Sequence, residues 1–148
     1  MGDMRSAFLP SEIVTAFLMA QLENIVKIKR RRMSLWNLNY NGLIESSKRK
    51  GIQLPIISDK SENNADMFYL ICPSIDFSAK LIDTLNTENI TAVFHYLSLH
   101  KSKFYIDKHD GREFVNSDSY SEFLIRLPMF YDLKEEAVYR ISNIIKEF

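Results

Sequence analysis

Met67-Phe68-Tyr69-Leu70-Ile71-Cys72 is a compact apolar run stopped by Pro73. Its length and its bounding proline predict a buried strand. Downstream, Ser78 is expected to cap a short helix carrying Leu81, Ile82 and Leu85, and Ile90 to Leu99 reads as a second strand with Val93 in its midst. Strand, helix, strand in so short a span is an αβ unit. Upstream, Ser58 to Asp66 is polar and reads as a loop, while Ile52 to Ile57, broken by Pro55, predicts an edge strand or an extended lead-in.

The flanks are helical. From Pro10 to Lys50 apolar residues recur at Leu22, Val26, Met33, Trp36, Tyr40 and Leu43, one stripe of an amphipathic helix. Leu9-Pro10-Ser11-Glu12 is a start signal, and Gly51 after Lys48-Arg49-Lys50 is a stop signal. So long a run is either two helices with a bend or one helix reaching past the core. Lys27, Lys29, Arg30, Arg31 and Arg32 are expected largely on its wet side. In the last third, Asn116 to Leu127 predicts a helix through Tyr120, Phe123, Leu124 and Leu127, ended by Pro128. Asp132-Leu133-Lys134-Glu135 has capping-box spacing, opening a final helix with Val138, Ile141, Ile144 and Ile145 on one face. The expected fold class is α/β (α+β): a small sheet of about three strands covered by helices and entered through a long N-terminal helix. One domain is expected over 1–148, with a helical segment at 10–50 and an αβ core with C-terminal helices at 52–148.

Composition narrows function mainly by exclusion. The 148 residues suffice for one ordinary domain, and 46% hydrophobic with 26% charged residues are globular values. Nineteen basic against nineteen acidic side chains give a formal charge of zero, so neither nucleic acid nor an anionic membrane is the expected partner. The basic run then reads as a solvated helix face rather than a phosphate contact. Gly2, Gly42, Gly51 and Gly111 are the only glycines and lie at least nine positions apart, which excludes a Walker A loop, a GxGxxG turn and a GxSxG elbow. Cys72 is the only cysteine, so neither an intrachain disulfide nor a thiolate zinc cluster can form. With no signal-peptide pattern at the start and no apolar run of membrane-spanning length, a cytoplasmic location is expected.

Chemistry-bearing residues are sparse. His95 and His100, placed on one strand, would face opposite sides, so no shared metal site is expected, and no HExxH pair exists. His109 is the third histidine. Phe94-His95-Tyr96-Leu97-Ser98-Leu99-His100 is the densest group of hydrogen-bonding rings, and a strand end of this kind suits recognition of a polar small molecule. No nucleophile, base and orienter can be assigned by spacing.

Six segments in order extend this reading: Phe8-Leu9-Pro10-Ser11-Glu12, Ala20-Gln21-Leu22-Glu23, Arg31-Arg32 with Leu35-Trp36, Asn64-Ala65-Asp66-Met67-Phe68-Tyr69, Ala92-Val93-Phe94-His95-Tyr96 with Leu99-His100, and Arg126-Leu127-Pro128-Met129-Phe130-Tyr131. Together they resemble the C-terminal region of DegT-type sugar-nucleotide aminotransferases, the branch of dTDP-4-amino-4,6-dideoxygalactose transaminases above all. The resemblance implies the small domain of an aspartate-aminotransferase-like (fold type I) enzyme, joined by a long helix to a large domain. It implies transfer of an amino group, through pyridoxal phosphate, from glutamate to a dTDP-4-keto-6-deoxyhexose in lipopolysaccharide or surface-glycan biosynthesis. By the same alignment Ser6 is a cofactor-phosphate contact across a homodimer, and His95, Tyr96 and His100 are substrate contacts. Ala7 and Ser98 depart from the family's pattern, and the loop beyond His100 is shortened to Lys101-Ser102-Lys103-Phe104-Tyr105. None of the eleven lysines matches the family's Schiff-base position, so no catalytic residue and no bound cofactor are expected in this chain alone. The partner implied is the missing large domain, or a second copy. The alternative is a freestanding, non-catalytic interaction or dimerisation module of the same fold.

Overall fold

The computed structural model describes residues 9–94 and 96–148. The long N-terminal run is two helices, α1 (Glu12–Glu23) and α2 (Ile25–Lys50). Ser11, in extended conformation, caps α1 by accepting a hydrogen bond from the Val14 amide. The break falls at Asn24, whose amide bonds back to Gln21 and whose side chain donates to the Ala20 carbonyl. Gly51 ends α2 in the left-handed conformation at φ 68°, with the three cations of the last turn beside the negative helix end.

Next come β1 (Phe68–Ile71), α3 (Ile75–Thr87), β2 (Val93–Phe94), a 3₁₀ turn (Leu99–Lys101), α4 (Val115–Phe123), β3 (Leu124–Leu127) and α5 (Glu135–Glu147). The sheet order is β1-β3-β2, with β3 antiparallel to both neighbours. Leu70 opposes Ile125 on one side and Phe94 opposes Ile125 on the other. β1 alternates, with Phe68 and Leu70 buried and Tyr69 and Ile71 half-buried. The expected mixed architecture of helices on a three-stranded sheet is therefore present.

Several boundaries differ from the sequence reading. The helix expected over Asn116 to Leu127 stops at Phe123, and its last four residues are the central strand. Helical spacing of Tyr120, Phe123, Leu124 and Leu127 is real, but the backbone groups of β1 and β2 find their partners only if 124–127 is extended. The expected strand over Ile90 to Leu99 shrinks to Val93–Phe94. That over Ile52 to Ile57 is a single bridge, Gln53 to Ile71, with bonds of 2.9 and 3.0 Å. Ser74, not Ser78, caps α3, accepting from the Phe77 amide; Ser78 is buried one turn later and donates to the Ile75 and Glu122 carbonyls. Asp132 is not a cap either. α5 opens after Lys134 with no side-chain cap, and its entry is held instead by Arg31, which donates to the Leu133 carbonyl at 2.9 Å and to the Glu135 carboxylate at 2.6 Å.

Arg32 likewise donates to the carbonyls of Ala65 and Asp66, and Lys29 pairs with Glu62. Lys27, Lys29 and Arg30 are exposed, as a largely wet basic face requires, but Arg31 and Arg32 are half-buried and tie α2 to α5 and to the 58–66 loop. The core sits between α2, α5 and the sheet: Trp36, Leu43, Phe68, Leu70, Ile125, Ile141 and Ile145, with Leu81 and Leu85 from α3. Trp36 stacks on Tyr40 and meets Phe68 edge-on at 5.4 Å. α2 and α5 cross closely at Gly42, where a Cβ would stand 2.7 Å from Ser142 Oγ.

The apolar stripe is covered only from Met33 onward. α1 buries no residue. Ile13, Val14, Phe17, Leu18, Met19 and Leu22 are exposed all round it, with Phe17 71% accessible, and Val26 just beyond is 70% accessible. A helix apolar on every side is ordinarily enclosed rather than laid on a surface. No described helix is long and apolar enough to cross a membrane.

Candidate functional site: a histidine cluster at the end of the sheet

Past β2 the chain leaves the sheet, turns once at Leu99–Lys101, and winds through tight turns to α4. The Tyr105 and Ile106 amides bond to the Ser102 carbonyl, and the Lys108 and His109 amides to that of Tyr105. Asp110-Gly111 then reverses the chain, Gly111 at φ 81° where a side chain would strain the backbone. These turns return His109 to His100, ring centroids 4.9 Å apart and nearly perpendicular. Phe114 closes the group at 5.1 Å from His100 and 5.3 Å from His109.

Carboxylates hold both imidazoles. Asp118, in the first turn of α4, places Oδ1 3.1 Å from His100 Nε2 and 3.0 Å from Lys101 Nζ. Burial works to raise the Asp118 pKa, but the hydrogen bonds of Lys101 and Ser98 and the charges of His100 and Lys101 outweigh it, leaving the carboxyl below its usual range. The reciprocal bond to Asp118 pushes the Lys101 amine up. His109 Nδ1 lies 3.1 Å from Asp110 Oδ1. Arg112 bonds to Asp110 through both its side chain and its backbone, lowering the Asp110 pKa. Ser98, Ser117 and Ser121 hydroxyls link the 3₁₀ turn to α4 at 3.1–3.2 Å.

Leu99, His100, Tyr105, His109, Phe114 and Ser117 line a cavity of about 310 Å³. Of the residues expected to contact substrate, only His100 lines it. Tyr96 lies in the connection after β2 and is 75% accessible, and Ser6 and His95 lie outside the described residues. The opposite-faces argument for His95 and His100 does not apply, since His100 sits in the 3₁₀ turn rather than on a strand. Among the described residues no three His, Cys, Asp or Glu side chains are grouped to hold a metal ion. His109, Phe114 and Asp118 were not singled out by sequence. The one local signal is the Asp110-Gly111 turn, which marks a reversal but not its target.

The model of the DegT/DnrJ/EryC1/StrS aminotransferase family matches residues 10–146. The chain belongs to that family. Among solved structures, DesV from S. venezuelae superposes with a TM-score of 0.79 at 20% identity, covering 89% of this chain and 34% of its own. PseC from Helicobacter pylori, an aminotransferase of pseudoaminic acid biosynthesis, gives 0.76 at 18% identity over 99% of this chain and 42% of its own. NtdA from Bacillus subtilis, solved with its cofactor PMP, gives 0.66 at 17% identity over 82% and 29%. The fold is therefore that of aspartate-aminotransferase-like enzymes, and this member spans about a third of the length of these solved relatives.

Family chemistry runs on pyridoxal phosphate, which a lysine must tether. All eleven lysines are among the described residues and none is buried, Lys50 alone being half-buried. Lys101, next to His100, has its amine pushed up by Asp118, opposite to what a tethering amine requires. Among the described residues, then, no lysine is placed to tether that cofactor.

Proposed function

We propose that this chain is the C-terminal portion of a pyridoxal-phosphate-dependent sugar-nucleotide transaminase, inert in isolation. The reaction of the whole enzyme is amino transfer from glutamate to a dTDP-4-keto-6-deoxyhexose, as in dTDP-4-amino-4,6-dideoxygalactose formation for lipopolysaccharide or another surface glycan. Ser6, His95, Tyr96 and His100 are this portion's contributions, the first to the cofactor phosphate of a partner subunit and the others to the sugar nucleotide. Residues 1–148 act as one small domain. One observation carries the inert reading: the family match covers residues 10–146, yet no lysine is buried. The test is addition of pyridoxal phosphate followed by borohydride, with absorbance and peptide mass recorded. Only scattered, substoichiometric modification of surface lysines is expected. A stoichiometric reduced adduct at one lysine overturns the reading.

The bare, apolar surface of α1 favours a second reading on the same fold, a freestanding module that docks a large domain or a second copy. Light scattering is expected to show association, and Phe17→Asp to abolish it with little loss of stability, since Phe17 is 71% accessible. A strict monomer that binds no apolar dye counts against docking through α1.

A further inference from the structure

Arg126 stands in the central strand, half-buried, and its guanidinium has no acceptor among the described residues. The other two half-buried arginines, Arg31 and Arg32, are both bonded, the first to Leu133 and Glu135 and the second to Ala65 and Asp66. Strand register puts Arg126 opposite Tyr69 on one side and Val93 on the other, with Ile71 and Leu124 next along the same face. None of these four carries a carboxylate. A guanidinium drawn partly out of water without an acceptor lowers stability, so the position calls for an anion from outside the described chain.

The surroundings narrow that anion. No second Lys or Arg is among these ladder neighbours, so a nucleic-acid backbone or a polyphosphate, which asks for several cations, is a poor match; one carboxylate suits one guanidinium fork. Burial, and then the nearby Tyr120, push the Tyr69 phenol up, which keeps its hydroxyl protonated and able to donate beside Arg126. The outer side of β2 is a second, independent observation. β2 is an edge strand, two residues of a segment whose sequence reads as a strand from Ile90 to Leu99, and no described strand pairs with its outer side. Val93 and Phe94 are 44% and 59% accessible. A strand added there would lie about 4.8 Å beyond β2, and its residue opposite Val93 would point to the same face as Arg126. Only the short Val93 would stand between them, a gap that an arginine and a glutamate side chain together span. An open sheet face holds a small free acid weakly, whereas an extended polypeptide adds main-chain bonds along the strand edge.

We propose that β2 and the Arg126 face of the sheet are a docking site for an extended acidic segment of another polypeptide, which adds as a fourth strand beside β2 and seats a Glu or Asp carboxylate, opposite Val93, on the Arg126 guanidinium. Main-chain pairing along β2 supplies affinity, and Arg126 supplies selectivity for the acid. The site shares no residue with α1 and depends on neither reading of the function given above.

Proton–nitrogen spectra of the 148-residue chain test it, with the Arg126 Nε–H and the Val93 and Phe94 amides as reporters. The probes are acetyl-Ala-Val-Glu-Val-Ala-amide, the same peptide with Gln for Glu, and acetate. The Glu peptide is expected to move the Arg126 resonance and at least one of the β2 amides, and the Gln peptide to bind roughly tenfold more weakly. Acetate is expected to be weaker than either. Arg126→Met, which keeps the apolar stem, is expected to bring the Glu peptide down to the affinity of the Gln peptide. The same variant, measured without peptide, is expected to hold or raise the thermal midpoint, because an unpaired cation has been removed from a half-buried place. A fall in that midpoint would make Arg126 a structural residue and overturn the proposal. So would equal binding of the two peptides, no movement with either, or acetate binding as tightly as the Glu peptide. A dimer of the chain alone that Arg126→Met dissolves would put a second copy on the β2 edge, and it too overturns the assignment to a different polypeptide.

Discussion

Ile125→Pro is expected to leave the chain largely unfolded at 25 °C. Ile125 is the middle of the central strand, fully buried, and opposed by Leu70 on one side and Phe94 on the other. A central strand has no edge toward which a missing amide can safely face, so proline removes a ladder bond whichever way that amide points. The backbone loss costs about 3 kcal/mol or more, and lost burial of the isoleucine side chain adds to it. Against a total of roughly 5–15 kcal/mol for a domain, the sum approaches the whole stability. Far-ultraviolet circular dichroism and urea titration read the result. A cooperative transition with an unchanged midpoint would mean that residues 124–127 do not form the centre of the sheet.

Phe68→Ala is expected to cost about 3–5 kcal/mol. Phe68 is fully buried at the start of β1 and takes the edge of Trp36 at 5.4 Å, so it joins the sheet to α2. Truncation removes the ring's burial and leaves a cavity bounded by a tryptophan that is stacked on Tyr40 and has little room to move in. Lost edge-to-face attraction adds about 0.5–1.5 kcal/mol. Urea denaturation followed by Trp36 fluorescence is the measurement, since Trp36 is the only tryptophan and touches the mutated site. The midpoint should fall sharply with the slope unchanged, because the surface exposed on unfolding is nearly the same.

Much of the helical framework was legible in sequence because its signals are local. Ser11 caps α1 and Gly51 ends α2 through bonds within a few residues, and Val138, Ile141 and Ile145 mark the buried face of α5 by spacing alone. β1 was legible too, as a short apolar run with a proline stop. β3 was not. Leu124, Ile125 and Leu127 satisfy a helix period as well as a strand's, and the choice was made by two distant strands needing a partner. Asp132 failed as a cap for a similar reason: Arg31, about a hundred residues earlier, already holds that helix entry.

The candidate site divides in the same way. His100 stood out within a dense ring-bearing segment. His109, Phe114 and Asp118 lie 9 to 18 positions downstream in a polar, turn-rich stretch, and only the reversal at Asp110-Gly111 brings them to His100. Within the basic run, Arg31 and Arg32 had looked as solvated as Lys27, Lys29 and Arg30, because their charges were visible in sequence and their partners were not. Ala65 and Asp66 accept through backbone carbonyls, which every residue type has and which leave no trace in composition.

The amino-acid sequence by itself determined the elements whose energetics close within a few residues: helix caps and stops, the apolar faces of α2 and α5, the first strand, and the family-like segments in their order. Tertiary structure alone decided which short apolar run lies at the centre of the sheet, which cations are clamps, and which half-buried arginine is left without a partner among the described residues. The physical reason is range. Capping and periodicity are short-range and written in neighbouring residues, whereas strand pairing, burial and the return of one ring to another depend on groups far apart in the chain, and those meet only after the fold has formed.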